Sequence, residues 1–179
     1  MNKKSVRKTI ATMCAFLIIT LSISGTAFAV NGENVNPASQ TTQKTSTEFG
    51  SFDLGVNPMS LEPPTSGTDL PYNGSFTRVN SEIFSSYYFF TNGATQFYVD
   101  WNVTADYPIK TLWHINVYQA GTDEFVVSSR QFNTSDNTGN WTSRFYNLDP
   151  AYNYYISFVN DGPPDHSTSI SGDFEVRLD

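Results

Sequence analysis

Residues 95–104 read TQFYVDWNVT and residues 110–119 read KTLWHINVYQ. In the first run Phe97, Val99, Trp101 and Val103 alternate with Gln96, Tyr98, Asp100 and Asn102. In the second, Trp113, Ile115 and Val117 alternate with Leu112, His114, Asn116 and Tyr118. A period of two sends successive side chains to opposite faces of a strand. Each run therefore reads as a strand with one apolar and one wet face, the signature of antiparallel sheet.

Six further short runs flank these two: 75–80, 83–91, 124–132, 140–147, 153–160 and 172–178. Turn-forming residues separate them, among them Asn92-Gly93, Asp106-Tyr107-Pro108 and Asp161-Gly162-Pro163-Pro164. Such spacing predicts an all-β fold, an antiparallel β-sandwich of about eight strands, immunoglobulin-like or jelly-roll-like. The run around Phe84 to Phe90 is apolar on both faces, so we expect a central strand covered on both sides.

Upstream of this domain the composition changes. Lys3, Lys4, Arg7 and Lys8 precede an apolar stretch, Ile10 to Ile23, and then Ala27-Phe28-Ala29. That order is the pattern of a secretory signal peptide cleaved after Ala29. The apolar stretch is shorter than the ~20 residues that a membrane-spanning helix needs. Residues 30–48 are rich in Asn, Ser, Thr and Gln and read as a disordered linker. Residues 49–71 mix Phe and Leu with Pro58, Pro63, Pro64 and Pro71, which predicts an extended strap that packs in part on the domain. The organisation expected is thus signal 1–29, linker 30–48, strap 49–71 and β-sandwich 72–179.

The full chain holds 10 Lys and Arg against 17 Asp and Glu, a formal charge of −7. Cleavage removes four cations and no acid, so −7 becomes −11 in the mature chain. Such a charge opposes phosphate backbones, and no nucleic-acid partner is expected. The only cysteine, Cys14, leaves with the signal, which excludes disulfides and thiolate chemistry in the mature protein. The expected address is extracellular, of bacterial type, with no membrane association after cleavage.

One local motif is more specific. Leu148-Asp149-Pro150-Ala151-Tyr152-Asn153-Tyr154 leads into Tyr155-Ile156-Ser157-Phe158-Val159. This L-x-P-x-x-x-Y pattern resembles the tyrosine corner of immunoglobulin-like and fibronectin type III sandwiches. With Ser171-Gly172-Asp173-Phe174-Glu175-Val176 it also resembles the C-terminal half of bacterial pre-peptidase C-terminal domains, small accessory sandwiches of secreted proteins. The resemblance covers about the last third of the chain. It implies that Leu148 is a core residue, that Pro150 stiffens the turn, and that the Tyr154 hydroxyl bonds back to the backbone upstream.

Catalytic signals are sparse. The two histidines, His114 and His166, have no G-x-S-x-G elbow or H-E-x-x-H motif to join. Asp100 is the one acid expected mid-strand, whereas glycoside hydrolysis requires two carboxylates across a cleft. Residues 133–140 and the turn acids Asp149, Asp161 and Asp165 are rich in oxygen, but they lack the EF-hand spacing and match ordinary turn chemistry. We expect no catalytic residue, cofactor or metal.

Binding is the expected role. Tyr98, Asp100, Asn102, His114, Asn116 and Tyr118 all fall on outward phases. If their strands are neighbours they form one polar and aromatic platform suited to glycans, with Trp141 beside it. Glycans of cell walls or the environment, or an extracellular protein, are the expected partners. Two other classes compete: a secreted hydrolase using outward carboxylates, and a protein-interaction or surface-matrix component. The oligomeric state is left open.

Overall fold

The computed structural model describes residues 36–43, 57–106, 110–163 and 168–179. The chain divides into two compact units, residues 1–34 and 35–179, and every described residue lies in the second. The signal segment therefore lies outside the described residues, as do Phe49, Phe52, Leu54 and Val56 of the strap and Asp165 and His166. Among the described residues, no helix is long and apolar enough to cross a membrane.

The described chain is all strand and turn, an all-β sandwich of two packed sheets. The strands are β1 (Ala38–Gln43), β2 (Asn57–Pro58), β3 (Gly67–Thr68), β4 (Tyr72–Val79), β5 (Glu82–Phe84), β6 (Tyr88–Phe89), β7 (Gln96–Ala105), β8 (Leu112–Gln119), β9 (Glu124–Ser128), β10 (Phe132–Asn133), β11 (Trp141–Tyr146), β12 (Tyr154–Asn160) and β13 (Ile170–Arg177). One sheet has six strands in the order β1-β11-β7-β13-β4-β2. The other has seven: β10-β8-β12-β6-β3, with β5 also on β12 and β9 also on β8. Pairing is antiparallel except where β2 meets β4 and β3 meets β6.

Thirteen segments stand where eight were expected. Part of the excess comes from two serines that each interrupt an expected strand. Between β5 and β6, the Ser85 N–H donates to Ile156 O at 2.9 Å, while its Oγ accepts the Ile156 N–H at 3.2 Å. Between β9 and β10, the Ser129 N–H donates to Ile115 O at 2.8 Å, while its Oγ accepts the Ile115 N–H at 2.9 Å. In both places a hydroxyl replaces a backbone carbonyl in the ladder. Short hydroxyl side chains compete for backbone partners in this way, and regular pairing stops there. The run 83–91 is accordingly not one central strand.

The rest of the excess lies upstream of residue 72. Ala38–Gln43 falls in the stretch expected to be a disordered linker, yet it pairs with β11 along its whole length, from Ala38 opposite Tyr146 to Gln43 opposite Trp141. Thr41 and Ser143 share a hydroxyl hydrogen bond of 2.9 Å, and Ser39 Oγ donates to Ser128 O at 2.9 Å. An edge strand held by backbone and hydroxyl bonds needs few apolar side chains, so its composition resembles a linker. Residues 57–71 of the strap are among those described. Ser60 bridges to Phe84, and Met59 and Leu70 pack against the core while Leu61 is 78% exposed.

The alternation of β7 and β8 holds. Phe97, Val99, Trp101 and Val103 are fully buried on one sheet, facing Trp113, Ile115 and Val117 on the other. Phe76, Phe158 and Phe174 extend the core, with the Phe158 ring centre 4.6 Å from that of Phe76 and 5.0 Å from that of Phe174. Aromatic pairs of this geometry add about 0.5–1.5 kcal/mol each beyond the area they bury.

Candidate functional site

The corner motif carries a half-exposed aromatic residue. Leu148 is buried, and its N–H donates to Thr95 O at 2.9 Å. The Asp149 side chain accepts the Ala151 N–H at 2.9 Å, and its carbonyl accepts the Tyr154 O–H at 2.8 Å. The corner hydrogen bond is thus present, with Leu148 in the core and Pro150 exposed in the turn. Burial is the main cause that raises the Tyr154 phenol above its usual pKa.

With Tyr154 turned inward, Tyr152 is left outside, 43% exposed. Its backbone is nevertheless fixed. The Thr91 hydroxyl donates to Tyr152 O at 3.0 Å, the Thr91 N–H reaches Asn153 Oδ1 at 3.4 Å, and the Ala120 N–H donates to Asn153 O at 2.9 Å.

A groove of about 520 Å³ is lined by Tyr152 together with Ala151 and Asn153 of the corner loop. Pro63 and Pro64 of the strap and Tyr88 of β6 wall it opposite the corner loop. The β8–β9 turn closes one end with Gly121 and Asp123. Both residues have positive φ, +85° and +56°, a backbone that Gly adopts freely and Asp tolerates. Asp123 Oδ1 accepts the Tyr155 O–H at 2.9 Å. Burial, then this bond and the charge of Asp123, push the Tyr155 phenol well up from 10.0. A second depression of about 260 Å³ is also lined by Tyr152, with Phe125, Glu124 and Asp149 among others. Phe125 is 53% exposed. Tyr152 therefore lines two shallow depressions, one shared with Tyr88 and Asp123 and the other with Phe125 and Glu124.

The residues singled out by outward phase do not come together. Strands β7 and β8 belong to different sheets, so Tyr98, Asp100 and Asn102 face away from one side of the molecule and His114, Asn116 and Tyr118 from the other. The single platform is thereby excluded, because its condition was that the two strands be neighbours. Asp100 is fully buried, bonded to Arg177 Nε at 3.0 Å and to the Thr142 hydroxyl at 2.5 Å. His114 Nδ1 lies 2.6 Å from Asp161 Oδ2, which also accepts from Gln131 Nε2 at 3.1 Å. Asn116 Nδ2 donates to the Tyr118 hydroxyl at 3.2 Å, and that hydroxyl donates to Glu82 Oε1 at 3.0 Å. Tyr118 stacks on Tyr155 at 5.2 Å. Trp141 stacks on Trp101 at 6.0 Å with Arg130 on it at 5.8 Å, and its Nε1–H donates to Thr138 O at 3.3 Å.

The oxygen-rich loop after β10 closes on itself. Asn133 Oδ1 accepts from Ser135 N and Oγ at 3.0 Å and 2.9 Å, and Asn137 Oδ1 accepts the Asn133 N–H at 3.1 Å. Among the described residues, no group of three or more His, Cys, Asp or Glu side chains could hold a metal ion.

Sequence reasoning passed over Tyr152, Tyr88 and Asp123. Tyr152 had a readable signal, because it occupies an unspecified position inside the corner motif, between the turn proline and the tyrosine that turns inward. Tyr88 and Asp123 come to it only through the fold, from two other loops and strands. No family model matches the chain, and no curated protein matches it.

Proposed function

We propose that this protein is a secreted, non-enzymatic binding module that holds glycan chains outside the cell in the groove lined by Tyr152. The observation that carries the reading is the half-exposed Tyr152, which has its backbone held by Thr91 and lines two depressions. Pyranose rings offer apolar C–H faces to aromatic walls and hydroxyls to convergent polar groups. Asp123, oriented by Tyr155, supplies an acceptor in one recess, and Asn153 lines the same recess. Loops at one end of a sandwich are a common place for binding surfaces, since the sheets hold them rigidly. The signal pattern of residues 1–29 supports an extracellular site of action, and the acidic charge disfavours nucleic acid.

Retention of the mature chain, residues 30–179, on immobilised neutral polysaccharides tests the reading. Binding that is lost in Tyr152→Ala and weakened in Asp123→Asn, with unchanged thermal melting, is the expected result. Equal retention of wild type and Tyr152→Ala on every polysaccharide bound would overturn it.

A further inference from the structure

On the outer face of the six-stranded sheet, Gln40, Arg144, Tyr98 and Arg177 stand in one cross-strand row. The Arg144 guanidinium lies 5.9 Å from the Tyr98 ring centre and 5.2 Å from that of Tyr146. The Arg177 guanidinium lies 4.8 Å from the same Tyr98 ring. Two cations thus flank one phenol, and they differ in what neutralises them. Arg177 donates to the buried Asp100 carboxylate. Arg144 donates through Nε, at 3.2 Å, and through Nη2 to the neutral Gln96 Oε1. Among the described residues, no carboxylate forms an ion pair with Arg144.

The acceptors around Tyr98 are already occupied. Gln96 Oε1 is held by Arg144, and the Asp100 oxygens by Thr142 and Arg177. The Tyr98 oxygen accepts the Gln96 Nε2–H at 3.3 Å, which leaves its own proton to be donated elsewhere. The row therefore offers N–H and O–H donors and one positive charge that no carboxylate of the described residues pairs. A planar guanidinium on a ring, pinned by a neutral amide, is preorganised for a planar oxyanion.

We propose that this row binds the carboxylate of a uronic-acid-bearing glycan, with Arg144 as the binding cation and Tyr98 as a second donor. Glu175, opposite Asp100 one row away, bounds the patch with negative charge. That neighbour, and the acidic chain as a whole, favour isolated carboxylates over a dense polyanion. The flat, polar surroundings, including Asn102 and Thr142, suit sugar hydroxyls rather than the apolar side chains of a peptide. This site lies on a sheet face and does not depend on the groove at Tyr152.

The test is a titration of the mature chain with a galacturonate trisaccharide and with its methyl ester, which keeps the sugar and removes the charge. The acid should bind and the ester should bind about tenfold or more weakly, the scale of one charge-assisted contact. Gln96→Glu places a carboxylate where Arg144 already grips, so it neutralises the cation in place. It and Arg144→Gln should each weaken the acid about tenfold while the melting temperature holds. Both titrations are repeated in the Tyr152→Ala background, where any glycan binding by the groove is removed and the difference between acid and ester should persist. Equal binding of acid and ester, undiminished binding by Gln96→Glu, or acetate or a peptide C-terminus binding as tightly as the trisaccharide would each overturn the proposal.

Discussion

Trp101 on β7 and Trp113 on β8 meet edge to face across the interior, with ring centres 4.6 Å apart and planes at 86°. Consecutive strands thus face each other across the core instead of pairing side by side, and Phe132 packs on both rings at 4.6 Å and 4.7 Å. Truncating Trp113 to Ala should cost about 3–5 kcal/mol, the range for emptying a buried indole site. Replacement by Phe separates packing from hydrogen bonding. The Trp101 Nε1–H donates to Ser143 Oγ at 2.9 Å, whereas the Trp113 Nε1–H meets no acceptor among the described residues. Trp101→Phe should therefore destabilise more than Trp113→Phe, by about 1 kcal/mol, as read from urea unfolding midpoints.

The same pair marks where sequence reading stopped. Alternation fixed which residues of β7 and β8 point inward, because the period of a strand is a local property. Which sheet each strand joins is not local: the short connection from Ala105 to Leu112 reads alike for a hairpin and for a step between sheets. Ser85 and Ser129 look like ordinary strand residues until their hydroxyls are seen to take a carbonyl's place. Strand β1 carries no apolar pattern at all. The Tyr154 corner was legible because its hydrogen bond closes within five residues. The groove was not, because its walls come from four separate parts of the chain.

Removing that corner bond isolates its worth. Tyr154→Phe keeps the ring in the core and deletes only the O–H that reaches Asp149 O. A loss of about 0.5–1.5 kcal/mol is expected, the usual net value of one such bond. Because the bond also sets the loop that carries Tyr152, hydrogen exchange at Ala151 and Tyr152 should accelerate in the variant. Unchanged exchange together with unchanged stability would show that Pro150 and the Asp149–Ala151 bond hold the turn unaided.

Alkaline stability follows from Tyr155. Its native pKa is raised from 10.0, by burial first and then by the Asp123 carboxylate, so the folded state keeps the proton that an unfolded chain gives up. Below pH 10 both states are protonated and the contribution is complete. As pH climbs above 10, the unfolded state binds fewer protons, and stability falls through that window. Tyr118 and Tyr154 shift in the same direction, with burial the largest cause in each. Denaturant midpoints should decline from about pH 10 upward, less steeply in Tyr155→Phe, and the difference in phenolate absorbance between wild type and that variant should appear only as the protein unfolds.

Asn160 at the end of β12 has every hydrogen-bonding valence of its amide filled. Its Nδ2 donates to Val79 O at 3.1 Å and to Thr168 O at 3.0 Å, and its Oδ1 accepts from the Thr111 hydroxyl at 2.8 Å and the Gly162 N–H at 2.9 Å. One side chain thereby ties the ends of β4 and β12 to the approaches to β8 and β13. Asn160→Ala would orphan several buried groups at once and should cost about 2–4 kcal/mol. Asn160→Asp keeps the shape but turns the two donors into an oxygen facing two carbonyls. Its carboxyl should then favour the protonated form, which can still donate one hydrogen bond. The variant should accordingly be more stable near pH 4 than near pH 7, measured against wild type, and a flat difference across that range would count against this view of the network.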